Sequence, residues 1–107
     1  MSEEFLDFLK QKCAYVAVGE FKPGKFNEAK QLYEKAIATY GNGFKGSYLL
    51  QQPGTDKGIA IIFWDSVENM AEHENEAYKA ILKEINPLFA NPPVTGVYDL
   101  VNQTQPV

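Results

Sequence analysis

The sequence predicts an α+β domain of order β-α-β-β-α-β, an antiparallel sheet with both helices on one face, preceded by a short extra helix. Three observations lead there. Two long segments carry apolar residues at helical spacing, around residues 26–40 and 67–85. Four shorter segments are rich in β-branched and aromatic residues and are bounded by Gly, Pro or Asn. The 107 residues, 45% hydrophobic and 22% charged, suit one globular unit with a single core.

At the N-terminus, Phe5, Phe8, Leu9 and Lys12 share one side of a short amphipathic helix from Glu3 to Lys12. Ala14 to Lys22 reads as the first strand, closed by Pro23-Gly24. The first long helix then runs on the stripe Phe26, Ala29, Leu32, Tyr33, Ala36, Ile37 and Tyr40. Gly41-Asn42-Gly43 is its stop signal, a place for a left-handed cap. Phe44 to Gln51 is the second strand and Gly58 to Trp64 the third, joined through a Pro53-Gly54 turn of type II. Asp65 with Glu68 resembles a capping box opening a second long helix. Its stripe is Val67, Met70, Ala71, Ala77, Tyr78, Ile81, Leu82 and Ile85, and it ends near Asn86-Pro87. Val94 to Asn102 is the fourth strand. The domain divides into a helical extension over residues 1–12, the βαββαβ unit over residues 13–103 and a tail over residues 104–107.

Two β-α-β halves joined by a hairpin make the ferredoxin-like arrangement. Its two helices cover one face of the sheet. The other face is expected to be polar if it meets water, yet the strands alternate poorly and leave apolar residues on both sides. Pairing with a second copy through the open sheet face covers it economically, so a homodimer is expected.

Composition removes several functions. All ten basic residues are Lys, so no guanidinium fork is available for phosphate or carboxylate. A formal net charge of −4 argues against nucleic acid as a partner. One Cys and one His exclude an internal disulfide, a Cys-rich zinc site and any metal site needing two histidines. No apolar run is long enough to span a membrane, and the acidic start is no secretory signal, so a cytoplasmic protein without a membrane partner is expected.

Several local motifs carry a resemblance. A strand runs into Phe21-Lys22-Pro23-Gly24 and a long helix, and a later strand ends Phe63-Trp64-Asp65-Ser66. Glu68-Asn69-Met70-Ala71-Glu72-His73 follows, placing a helical His nine residues after the strand-end Trp. From Ala14 to Asn102 the chain resembles the dimeric α/β-barrel superfamily, and within it the antibiotic-biosynthesis-monooxygenase-like domains. The resemblance implies a homodimer whose sheets form a barrel, with a pocket between helices and sheet in each protomer. Family activities include cofactor-independent oxygenation of polyphenols or quinols and heme degradation. The heme-degrading branch uses an Asn, a Trp and a His at positions occupied here by Ala17, His73 and Lys83, so heme is not implied. No cofactor and no metal are expected.

His73 is the one side chain whose ordinary titration lies near neutrality. It sits about 40° from Ala77 on the helical wheel, at the border of the apolar stripe, where it can serve as proton acceptor for a phenol or quinol. Trp64 and Asn69 are expected to position such a ligand, with Tyr15, Tyr48 and Tyr98 as further pocket-lining candidates. A packing role is the ordinary alternative for Trp64, and a helix-shoulder hydrogen bond for His73. Glu68, Glu72, Glu74 and Glu76 read as a solvated face rather than a cation site, and Cys13 as an inert thiol.

The leading expectation is a small cofactor-independent monooxygenase-like protein acting on an aromatic or quinol-type small molecule. The alternatives are a non-catalytic dimeric module that binds an apolar or aromatic ligand, and a structural or interaction scaffold.

Overall fold

The structure is a computed structural model and describes residues 13–104 and Pro106. The expected N-terminal helix from Glu3 to Lys12 lies outside the described residues. The elements are β1 (Cys13–Glu20), α1 (Phe26–Ala38), β2 (Phe44–Gln51), β3 (Lys57–Trp64), α2 (Val67–Glu72), α3 (Glu76–Ile85), a 3₁₀ turn (Asn86–Leu88) and β4 (Val94–Asp99).

The strands form one antiparallel sheet in the order β2-β3-β1-β4. This is the ferredoxin-like α+β order that the β-α-β-β-α-β reading implied. Side-chain alternation together with register assigns the faces. Cys13 pairs with Trp64, Tyr15 with Ile62 and Ala17 with Ala60, and these residues point toward the helices. Buried Cys13, Ile62 and Trp64 form the core there, with Tyr33, Ile37, Tyr40, Phe44 and Met70 packed on them. Val16, Val18, Ile59, Ile61 and Phe63 point the opposite way. On that open face Val18, Tyr48, Leu50, Val94 and Tyr98 are all exposed, Val94 at 74%.

Both expected Pro-Gly turns form. Gly24 and Gly54 have positive φ, and backbone bonds Lys25 N–H to Lys22 O (3.0 Å) and Thr55 N–H to Gln52 O (3.1 Å) close them. Four sequence expectations need correction. First, α1 stops at Ala38 with Thr39 as its cap, because the Thr39 hydroxyl turns back to donate to Ala36 O at 2.7 Å. The glycines act later in the connection. Second, the helix after β3 is capped by Ser66, whose Oγ accepts from the Asn69 N–H at 3.1 Å, and not by an Asp65–Glu68 box. Third, that helix is two helices. Asn75 caps a fresh start by accepting the Tyr78 N–H at 2.8 Å, and the chain breaks over residues 73–75. The stripe had no apolar residue between Ala71 and Ala77, so the helical pattern lapsed over the intervening turn. Fourth, regular pairing ends at Glu20 and Asp99 rather than Lys22 and Asn102, with Phe21 left in a lone bridge to Phe89.

Candidate functional site

The helix-facing end of β3 gathers the aromatic chemistry. Trp64, the last residue of β3, is 1% exposed. Tyr40, just past α1, lies against it with ring centroids 5.0 Å apart, and Phe44 at the start of β2 lies 5.7 Å away. His73 closes the group from above. Its ring lies 5.0 Å from Trp64 at a shallow 31° and meets Tyr40 and Tyr78 edge to face at 4.7 and 4.5 Å. The helix break produces this placement: His73 caps the C-terminus of α2, half-buried, and Tyr78 enters from the first turn of α3.

His73 Nδ1 is in hydrogen-bond contact with Met70 O. A carbonyl only accepts, so Nδ1 donates to it, and in the neutral form of the ring the lone pair is then on Nε2. That tautomer leaves Nε2 as the basic nitrogen. The phenols around it are held protonated. Burial, reinforced by Tyr78 and Tyr33, raises the Tyr40 pKa above that of a free tyrosine. Burial also raises Tyr78, with Tyr15 and Glu74 adding to it. Cys13, buried under the same core, is raised by burial and then by the carboxylates of Asp99 and Asp65, so its thiol stays protonated and unreactive at neutral pH.

Beside His73 opens a polar cleft of about 180 Å³, bounded by Thr39, Gly41 and Asn42 on one side and by Asn69, Glu72 and Asn75 on the other. A larger hollow of about 420 Å³ lies on the open sheet face, where Tyr48 and Phe63 meet Leu100 and Asn102. Among the described residues, no cluster of three or more His, Cys, Asp or Glu gathers to hold a metal ion, and no helix is long and apolar enough to cross a membrane.

The structure therefore brings together four of the six residues singled out from sequence and separates two. His73, Trp64 and Asn69 surround the junction of β3 and α2, and Tyr15 faces the same side beside Ile62. Tyr48 and Tyr98 do not join them. Their alternation turns both rings to the open face, 63% and 60% exposed, so they line no pocket between helices and sheet. Asn69 spends its amide on structure, donating to Asp65 Oδ1 at 2.6 Å while its backbone serves the Ser66 cap. Sequence reasoning read Tyr40 and Tyr78 as plain stripe residues. Tyr40 two residues before Asn42-Gly43, and Tyr78 three after the capping Asn75, were the available signs that both sit at element ends.

No family model matches the chain, and no curated protein matches it in sequence. Solved structures share its fold. SnoaB from Streptomyces nogalater, a cofactor-independent oxygenase, superposes with a TM-score of 0.77 at 16% identity, over 91% of this chain and 99% of its own. A candidate antibiotic biosynthesis monooxygenase from Chloroflexus aurantiacus gives 0.77 at 14% identity, over 88% and 97%. A conserved protein from Methanosarcina mazei gives 0.77 at 16%, over 88% and 96%. This is the antibiotic-biosynthesis-monooxygenase-like fold. The resemblance seen in the Trp64-to-His73 segment thus extends to the whole architecture. Within a monooxygenase-like fold, activity resides in the side chains of the site rather than in the sheet order.

Proposed function

We propose that this protein is a small cofactor-independent monooxygenase of the cytoplasm acting on an aromatic, quinol-type molecule, with His73 as its general base. The observation that carries the reading is the placement of His73: its Nδ1 contacts Met70 O, which leaves Nε2 as the ring nitrogen free to take a proton amid aromatic rings. Nε2 takes the phenolic proton, and the electron-rich phenolate reduces O₂. A carbon–oxygen bond forms at a ring carbon bearing hydrogen, and loss of water from the resulting peroxide leaves a carbonyl. One oxygen atom stays in the quinone, the other leaves as water with two substrate hydrogens, and the substrate supplies all four electrons. Trp64 and Tyr15 supply flat walls for such a ring.

The same reading includes a homodimer closed through the open sheet face. The exposed Val18, Tyr48, Leu50, Val94 and Tyr98 support it, because a second copy removes this apolar surface from water. A second reading, the structural or interaction scaffold, is favoured by cleft size. About 180 Å³ is below the roughly 300–1,000 Å³ usual for small-molecule sites.

Oxygen uptake by metal-free protein against a panel of hydroquinones and polyphenols tests the proposal, with sedimentation velocity on the same preparation. Uptake that His73→Ala lowers about 100-fold or more in kcat, by a protein sedimenting as a dimer, is the expected result. Equal uptake by His73→Ala removes the base. Absence of uptake together with a raised Tm in the presence of the same compounds leaves the binding module.

A further inference from the structure

The segment that carries His73 is attached unlike the rest of the fold. α2 has six residues and none is buried; Val67 on it is 52% exposed. A helix this short has no stability of its own in water, so it persists only through its attachments. Those attachments are few and lie at its ends. At the start, Asp65 N–H donates to Gly43 O at 2.8 Å, and Asp65 Oδ1 accepts from Asn69 Nδ2 at 2.6 Å. The fit there is close: a Cβ on Gly43, whose φ is +83°, would come within 2.6 Å of Asp65 and Asn69 side-chain atoms. At the far end, Asn75 donates to Thr39 O at 3.4 Å and caps α3. Both anchors, Thr39 and Gly43, belong to one connection, the link from α1 to β2. Between these anchors the 180 Å³ cleft separates that connection from α2. Inward, α2 contributes only Met70 to the core and His73 to the aromatic group.

We propose that α2 is a hinged lid, turning between Asp65 and Asn75, its closed orientation braced at the Asp65 hinge by the hydrogen bond to Asn69, and that its opening along this cleft admits a flat aromatic molecule to Trp64 and His73. The substrate class rests on the oxygenase reading; the lid itself does not. Opening resolves the mismatch between a small closed cleft and a ring-sized ligand. It lifts Met70 and His73 off Trp64 while Ile62 and Cys13, on the sheet, stay packed. Closure restores His73 Nε2 beside the bound ring and shuts out bulk water.

Trp64 is the sole tryptophan, so its fluorescence reports the lid directly. Acrylamide quenching is compared in the native protein, Asp65→Ala and Asn69→Ala, with far-UV circular dichroism as the check on folding. Each substitution removes this brace from one end, so either suffices should the other fail to fold. The expected result is low quenching in the native protein and a rise of about tenfold in the open population in each variant, the effect of losing one charge-assisted hydrogen bond. Unchanged quenching in folded variants overturns the lid. Stopped-flow mixing with 2-methyl-1,4-naphthoquinone separates the two ideas. A binding rate that saturates, and saturates about tenfold faster in Asp65→Ala, supports lid and ligand class together. Increased quenching with no binding of the quinone keeps the lid and removes the substrate class. Oxygen uptake with unchanged quenching keeps the oxygenase and removes the lid.

Discussion

The helix-covered face of the sheet has two aromatic ends, built from different residues. At one end Phe21 stacks on Phe89 at 4.4 Å and meets Phe26 edge-on at 5.7 Å. At the other, Trp64, His73 and Tyr78 each lie within 5.8 Å of Tyr40. The phenylalanine end has no polar side-chain atom to satisfy, and its chain is stapled by backbone bonds from Phe21 to Asp56, Lys22 to Leu88 and Ala90 to Glu20. The tyrosine end carries hydroxyls and an imidazole that need partners, and it is closed by the short α2. One end is filled to hold the sheet to the helices. The other combines packing with groups that donate and accept protons, and chemistry requires the second kind.

Truncating each end is the strongest way to break this contrast. Phe26→Ala and Trp64→Ala are each expected to cost about 3–5 kcal/mol in urea unfolding, since both side chains are buried. The contrast sharpens if ligand binding survives the first and not the second. A subtler intrusion at the phenylalanine end is Gly58→Ala. Its new Cβ would lie 2.8 Å from Phe26 and 3.0 Å from the Leu50 carbonyl, so the expected loss is about 1–3 kcal/mol, with no effect on the environment of Trp64. The smallest effect belongs to Tyr40→Phe and shows only in alkali. Folding holds the Tyr40 phenol protonated above its ordinary pKa of 10.0, so its contribution is intact below pH 10 and is lost as pH rises further, when the unfolded chain releases a proton the folded one keeps. Removing that hydroxyl is expected to flatten the alkaline loss of stability by up to about 1.4 kcal/mol per pH unit, measured by unfolding between pH 9 and pH 11.5.

The sequence made the strands and α1 legible because each rests on a repeated signal: a run of β-branched and aromatic residues bounded by turn residues, or a stripe over four turns. Phe44–Gln51 is a strand with the bounds its composition suggested. The broken helix was harder to see. The apolar stripes of α2 and α3 happen to stay in phase across residues 73–75, so the gap between Ala71 and Ala77 and the capping Asn75 were the signs of a new start. His73 was singled out for its chemistry, yet its contact with Trp64 depends on that break. Tyr48 and Tyr98 part from the other four for another reason. Residue type marks a tyrosine as a plausible ligand contact, whereas only pairing register decides which side of the sheet it occupies.

Register at the start of β2 has one further consequence. Phe44 pairs with Trp64 and Gly46 with Phe63, so two residues of β2 answer one step of β3 and Lys45 is the bulge. Phe44 and Tyr48 are four apart and would share a side in an unbroken strand; the bulge is what sends Phe44 to Tyr40 and Trp64 and Tyr48 to the outer surface. Deleting Lys45 would therefore do more than shorten a strand. The chain would have to choose between turning Phe44 outward and turning Tyr48 and Leu50 inward, and either choice empties one layer and crowds another. At this point in the fold, the number of residues is under as strict a constraint as their identity.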